Sequence, residues 1–178
     1  KRTFCDWNNK DELDLILKKS LESNQQISPW FCLSFEDNAR NHYTRAKNFS
    51  RQYKLLKNNN NIYNNNKIRI GYYASDFHEH PGMVNMAGIF ANHNKKEFEI
   101  IGFYYGDINK DKTHYKIKKY FDKFFYVDQL DDIEILNLSI ENKIDIAIYR
   151  AGLTNNARSS IFSNKVAPIQ INFLAYPG

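Results

Sequence analysis

From Lys67 onward, short apolar runs alternate with stretches whose apolar residues recur every three or four positions. The runs, rich in Ile, Phe and Tyr, predict strands at 68–74, 98–105, 124–127, 144–149 and 169–174. The periodic stretches between them predict helices at 82–93, 113–121, 131–142 and 157–163. Asp131 with Glu134 three residues on has the spacing of a helix cap, and Ile133, Leu136 and Ile140 supply that helix's buried face. The first, second and fourth strands are almost uninterrupted apolar runs, as strands covered on both faces require. Strand–helix alternation closed by right-handed crossovers gives a parallel, doubly wound sheet, an α/β Rossmann-like lobe.

The pattern before Lys67 differs. Asn9 followed by Glu12 has capping-box spacing, and Leu13, Ile16, Leu17 and Leu21 form one apolar stripe behind it. A second helix is predicted over 36–56, with Phe35, Ala39, Tyr43, Ala46, Phe49 and Tyr53 along one side. Residues 58–66 are nearly all Asn, which competes with backbone hydrogen bonds and tolerates turns, so this tract reads as a mobile linker. The expected organisation is a leading helical segment of two helices (1–57), an Asn-rich linker (58–66) and the Rossmann-like lobe (67–178).

Composition narrows the partners. A chain of 178 residues, 42% hydrophobic and 15% aromatic, is long and apolar enough for one core. The net charge of +5 comes from basic residues scattered along the chain, not gathered into a block, which argues against nucleic acid. No apolar run approaches the roughly 20 residues that span a bilayer, so no membrane partner is expected. Two cysteines, Cys5 and Cys32, without a C-x-x-C pair or a secretory leader point to a reduced cytoplasmic setting, although they do not exclude one disulfide. A start at Lys1 and an end in Tyr-Pro-Gly read as a piece of a longer protein.

In open α/β sheets ligands bind beyond the carboxyl ends of the strands. Three segments meet that condition: 75–82, 151–158 and 175–178. None carries G-x-G-x-x-G, so the dinucleotide fingerprint is absent and no cofactor is expected. In Ala-Ser-Asp76-Phe-His78-Glu-His80-Pro-Gly, two histidines and an aspartate resemble metal ligands. H-x-H without a further placed ligand is a weak signal, however, and no metal is expected. Pro81 suits the first position of a helix, which puts His80 at its N-cap, where the helix dipole disfavours imidazolium. A neutral ring there can accept a proton from a bound hydroxyl, and the helix end can receive an anion. The plainer alternative is that His80 caps the helix and Asp76 ties the loop. In 152–158, Thr154 can hydrogen-bond and Arg158 can pair with phosphate or carboxylate; equally, Thr154 or Asn155 caps a helix while Arg158 faces water. The aromatic strands read as core, and His42, His93 and His114 receive no role.

The order of these motifs resembles a known family. Lys-Ile-Arg-Ile-Gly-Tyr-Tyr-Ala-Ser-Asp-Phe-His-Glu-His-Pro and the closing Ala-Pro-Ile-Gln … Leu-Ala-Tyr-Pro-Gly are similar to the catalytic region of the O-linked N-acetylglucosamine transferase (OGT) and SPINDLY family. Cys5-Asp6-Trp7 and residues 28–50 resemble the segment that precedes it. The resemblance implies the N-terminal catalytic lobe of a GT-B glycosyltransferase, with a TPR region upstream and a second catalytic lobe downstream. It implies a nucleotide-sugar donor, UDP-GlcNAc by default and GDP-fucose in the SPINDLY branch, and a polypeptide Ser/Thr acceptor. It marks His80 as the active-site histidine, His80-Pro81 as its motif, Thr154 as a residue beside the substrate, and Tyr176, Pro177 and Gly178 as a loop near donor or acceptor. The donor-phosphate lysine would lie in the downstream lobe.

The chain departs from the family pattern at five places. Tyr149 replaces an acidic residue, Arg150 an apolar one, Leu153 an aromatic or histidine, Val84 a second histidine, and Ala175 a glycine. These departures admit a changed donor or acceptor, weakened catalysis, or a non-catalytic lobe that binds peptides.

Overall fold

The computed structural model describes residues 10–22, 27–53, 60–106, 111–154 and 157–176. The chain divides into two compact units, one running to Tyr53 and the other from Lys54 to Pro177. Pro177, Gly178, Asn155 and the Asn9 cap lie outside the described residues.

The second unit is a five-stranded sheet. Its strands are β1 (Ile68–Ala74), β2 (Phe98–Tyr104), β3 (Lys123–Tyr126), β4 (Ile146–Tyr149) and β5 (Ile169–Asn172). All pairings are parallel, in the order β3-β2-β1-β4-β5. The chain runs outward from β1 through β2 to β3 and then returns to the other side of β1, so the strand order reverses between β1 and β4. That reversal creates a crevice beyond the carboxyl ends of these two strands.

Alternation along β1 assigns each face its partners. Ile70, Tyr72 and Ala74 pack with Met83, Met86 and Phe90 of α4 (Pro81–Ala91) and Ile117 of α5 (Lys112–Lys118). Tyr73 lies in the opposite core with Ile135 and Leu136 of α6 (Asp132–Glu141) and Ile161 of α7 (Ser160–Ser163). Helices on both faces explain why β1 and β2 are apolar except for Arg69 and Glu99 near their amino ends. Tyr73 stacks on Phe103 with ring centroids 4.4 Å apart, and its hydroxyl donates to Ser139 Oγ, which in turn donates to the Ile135 carbonyl. Every hydrogen on this buried polar chain is therefore used.

β2 and β3 lie within one residue of their expected bounds, and the larger departures fall at one end each of β4 and β5. β4 begins at Ile146, with Ile144 already buried before it. β5 stops at Asn172 because Leu174 and Ala175 take positive φ values of 63° and 53°, which no strand accommodates. α7 is a single turn, shorter than the predicted 157–163. Within the expected linker, the Asn65 amide donates to the Lys143 carbonyl and to Asp145, tying that residue to the sheet unit.

Among the described residues the leading unit holds three helices where two were expected: α1 (Lys10–Lys19), α2 (Pro29–Cys32) and α3 (Ala39–Ser50). Pro29 at N1 starts the extra turn and free Cys32 buries into it. The buried side of α3 is also not the apolar stripe. Tyr43 is 66% exposed, whereas Arg45 and Asn48 are buried. Arg45 donates to Ser20 Oγ and the Leu17 carbonyl, and forms an ion pair with Glu36 at 2.5 Å. Burial alone would raise the Glu36 carboxyl, but Arg45, Asn41 and His42 together hold it below its usual range. Asn48 donates to the Leu21 carbonyl, so α3 docks on the carbonyl end of α1 through polar side chains that satisfy it.

Two of the histidines left without a role are structural here. His42 Nε2 meets the Glu36 carbonyl at 2.7 Å, and His93 Nε2 meets the Tyr72 hydroxyl at 2.7 Å. Burial, then Lys95, lower the His93 pKa against the opposing pull of Asp122. A depressed folded-state value means that the folded chain binds the proton less readily than the unfolded chain does. The associated stability is complete above the ordinary value of 6.5 and is lost as pH falls below it. Urea denaturation between about pH 7 and about pH 5 should therefore show a larger fall in midpoint for the native chain than for His93→Gln.

Candidate active site

The three segments singled out in the sequence follow β1, β4 and β5, which are neighbours in the sheet. The first is positioned by α4. His80 has extended N-cap dihedrals (φ −150°, ψ 143°) and Pro81 opens the helix. The His80 side chain is 48% exposed, whereas Asp76 is only 16% exposed. His80 Nδ1 lies 3.0 Å from Asp76 Oδ2 and 3.1 Å from the Gly82 backbone nitrogen.

Arg150, immediately after β4, completes the cluster. Its side chain is 5% exposed, with Nη2 3.1 Å from Asp76 Oδ2 and Nη1 donating to Oδ1 at 3.3 Å. The pair spans the point where the strand order reverses. Gly82 is required by its neighbours: a Cβ there would collide with the Arg150 guanidinium and approach Asp76 Oδ2 to 3.0 Å. One buried polar atom at this end of the sheet, Arg150 Nε, has no hydrogen-bond partner among the described residues. Burial, with Tyr149 close by, pushes the Tyr105 hydroxyl well above its ordinary pKa. Sequence reasoning had Arg150 only as a departure from a family pattern. The signal it offered was a lone charge directly ending an apolar strand, where the next side chain still lies inside.

The other side of the loop is fastened to β2 and α5. His78 Nδ1 meets the Tyr104 hydroxyl at 3.0 Å, and the Glu79 N–H donates to Asp111 Oδ2 at 2.7 Å. Asp111 also caps α5 through the His114 N–H. These two N–H bonds, His114 first, hold its carboxyl below the usual range. His114 is fully buried, with Nδ1 2.8 Å from the Phe77 carbonyl and Nε2 2.9 Å from the Tyr126 hydroxyl. It had no visible partner in sequence, yet it anchors the active-site loop from below. The His78 and His80 rings stand 6.1 Å apart, each engaged with a different group. Among the described residues no three His, Cys, Asp or Glu side chains gather as a metal site.

The second segment is a turn. Thr154 Oγ1 donates to the Ala151 carbonyl at 2.7 Å, and the Leu153 N–H donates to the Tyr176 carbonyl at 2.8 Å. Gly152 pairs with Tyr176 in an isolated parallel bridge, at a φ of 56° that suits glycine. Thr154 and Tyr176 are thus brought together by backbone. Arg158 points elsewhere: Nε pairs with Asp132 at 2.9 Å, and its Nη atoms donate to the Val127 and Leu130 carbonyls. A ligand at Arg158 would compete with three internal bonds.

The profile of glycosyl transferase family 41 matches residues 47–178. The chain belongs to that family. A probable UDP-N-acetylglucosamine–peptide N-acetylglucosaminyltransferase, SEC, of Arabidopsis thaliana is 33% identical over 114 residues, which is 63% of this chain and 12% of that protein. The UDP-N-acetylglucosamine–peptide N-acetylglucosaminyltransferase of Caenorhabditis elegans is 33% identical over 120 residues, 65% of this chain and 10% of that protein. The chain spans about a tenth of the length of these curated relatives. A mutant O-GlcNAc transferase of Thermobaculum terrenum has a TM-score of 0.72 at 22% identity, over 78% of this chain and 28% of that one. That likeness is one of fold.

The departures of this family-41 chain acquire physical meaning from their places. Tyr149 is buried against Phe162, ring centroids 4.3 Å apart, and its hydroxyl donates to Ser159 Oγ, so it fills core under α7. Val84 is 81% exposed on the first turns of α4. Ala175 occupies a left-handed conformation, which explains why glycine suits this position and why alanine is strained there. The left-handed region costs a non-glycine residue about 1–2 kcal/mol, and glycine's extra chain entropy returns about 0.5–1 kcal/mol of that. Ala175→Gly should therefore raise unfolding stability by about 0.5–1 kcal/mol in urea titration.

Proposed function

We propose that the full-length protein transfers a sugar from a nucleotide donor to Ser or Thr side chains of polypeptides, with this chain as the N-terminal catalytic lobe and its leading helices. The observation that carries the reading is the family match, which runs through the Asp76–Pro81 stretch and to the end of the chain. GlcNAc from UDP-GlcNAc is the donor we propose, after the donor in the names of the two relatives. The second catalytic lobe and a TPR region belong to the part of the protein outside this chain, and the setting we propose is cytoplasmic. Among the described residues no helix is long and apolar enough to cross a membrane.

In this reading the acceptor hydroxyl lies against the exposed edge of His80. The ring takes its proton as the oxygen attacks the anomeric carbon, and the bond from that carbon to the nucleotide phosphate breaks with its electron pair leaving on phosphate. Pro81 and the α4 N-terminus, Thr154, Tyr176, Pro177 and Gly178 line the acceptor or donor side. Arg158, held by Asp132 and the Val127 and Leu130 carbonyls, lies on the same side and would reach substrate only by giving up those bonds. The nucleotide contacts come from the downstream lobe, so the chain alone performs no transfer.

The test uses full-length protein offered UDP-GlcNAc or GDP-fucose with a Ser/Thr peptide, read by mass spectrometry. We expect a GlcNAc adduct that falls by about 10²-fold or more in His80→Ala. Calorimetry on residues 1–178 should find no micromolar affinity for UDP-GlcNAc. A micromolar value would overturn the division between lobes, and intact peptide binding with no transfer from either donor would make the protein a binding module.

A further inference from the structure

We propose that Asp76 and Arg150 are a positioning pair that fixes His80 as the tautomer carrying hydrogen on Nδ1, leaving Nε2 as the basic nitrogen. The inference rests on the reading of His80 as the active-site histidine, but it stands on separate geometry. His80 Nδ1 has two neighbours with opposite requirements. The Gly82 N–H, 3.1 Å away, needs a lone pair. Asp76 Oδ2, 3.0 Å away, needs a hydrogen. One nitrogen cannot satisfy both.

Three arguments decide for the carboxylate. A hydrogen bond to an ionised acceptor is roughly twice as strong as one between neutral groups. A bare Nδ1 would also set its lone pair against the carboxylate oxygen, a repulsion that the other tautomer avoids. Finally, Gly82 sits in the first turn of α4, where N–H groups have no helical partner and water can serve them, whereas Asp76 is largely enclosed.

Arg150 keeps the carboxylate in place. It grips both oxygens, Nη2 on Oδ2 and Nη1 on Oδ1, so the carboxylate cannot rotate Oδ2 away from the ring. It does so while 5% exposed and with Nε lacking a partner among the described residues. A buried ion pair seldom stabilises a fold more than apolar packing of the same volume would. An incompletely satisfied guanidinium at this spot is therefore better explained by its hold on Asp76 than by stability. The absence of a Cβ at Gly82 is what lets ring, carboxylate and guanidinium meet.

The test is nitrogen-detected NMR of the chain labelled with 15N-histidine, with the His80 signals assigned by their loss in His80→Gln. The expected wild-type spectrum has a protonated-type Nδ1 and a bare-type Nε2. In Asp76→Ala/Arg150→Met, which removes both charges together, Gly82 is the remaining Nδ1 partner and the hydrogen should move to Nε2. Asp76→Asn retains an acceptor oxygen facing Nη2 and Nδ1, and should keep the wild-type tautomer. A wild-type ring with its hydrogen on Nε2 overturns the proposal, even if no variant folds. So does a folded double variant with an unchanged tautomer. In the full-length protein the double variant should lose about 10²-fold or more in kcat with donor KM little changed. If the hydrogen moves and kcat does not, the positioning pair stands and it is the chemical role of His80 that fails.

Discussion

The buried contact between Asp76 and Arg150 ties the carboxyl end of the sheet together. Asp76 lies two residues beyond β1 and Arg150 directly beyond β4, strands that are neighbours only because the chain recrosses the sheet after β3. The ion pair therefore bridges the crevice that the topology opens. Removing one partner of such a pair costs about 3–5 kcal/mol, because the other is left buried and uncompensated. His80 is then set by a chain of local necessities. Pro81 starts α4, the N-cap places the ring beside Asp76, and glycine at position 82 leaves the room that the guanidinium fills.

The loop carrying His80 is fixed from its other side by different chemistry. Asp111 receives the Glu79 and His114 N–H groups, and His114 reaches the Phe77 carbonyl from within the core. Lys118 donates to the Tyr126 hydroxyl, which lies against His114 Nε2. Both clamps fasten the loop to the ends of regular elements, Arg150 at the end of β4 and Asp111 with His114 at the start of α5, so the ring's position inherits the rigidity of the sheet. The edge strand β5 presents the opposite case: Ile169, Gln170, Ile171 and Asn172 are all exposed.

The sheet was legible in sequence because burial on both faces writes itself as apolar runs, and β1 was read to the residue. The ends of β4 and β5 were not, since Ile144 is apolar without being in the strand and Leu174 is apolar at a positive φ. α3 misled for a related reason. An apolar stripe marks the buried face only where packing is the whole attraction, and here the carbonyl end of α1 draws in Arg45 and Asn48 instead. His80 was found because its cap signal, Pro-Gly, is adjacent in sequence. Arg150 and His114 were missed as partners because theirs are not: Asp76 lies 74 residues from Arg150, and Phe77 lies 37 from His114. Motif order identified the segments, but only folding brings their charges together.

The two ends of the sheet treat charge differently. At the amino end, the Arg69 and Ile100 N–H groups donate to Asp145 and Asp122. Arg69 and Lys123 share Glu99, and Lys95 joins Asp122. Burial would raise the Asp122 carboxyl, but Lys95 and the Ile100 N–H hold it below its usual range. Polar groups there complete one another, which is what a purely structural edge requires. At the carboxyl end Arg150 Nε is buried and has no partner among the described residues, and the exposed His80 ring shares the Asp76 carboxylate with that guanidinium. Local rules of satisfaction are broken at one end of the sheet and kept at the other, and such breaks concentrate where a protein works. The asymmetry reaches the same crevice that the strand order marks, from hydrogen bonding alone.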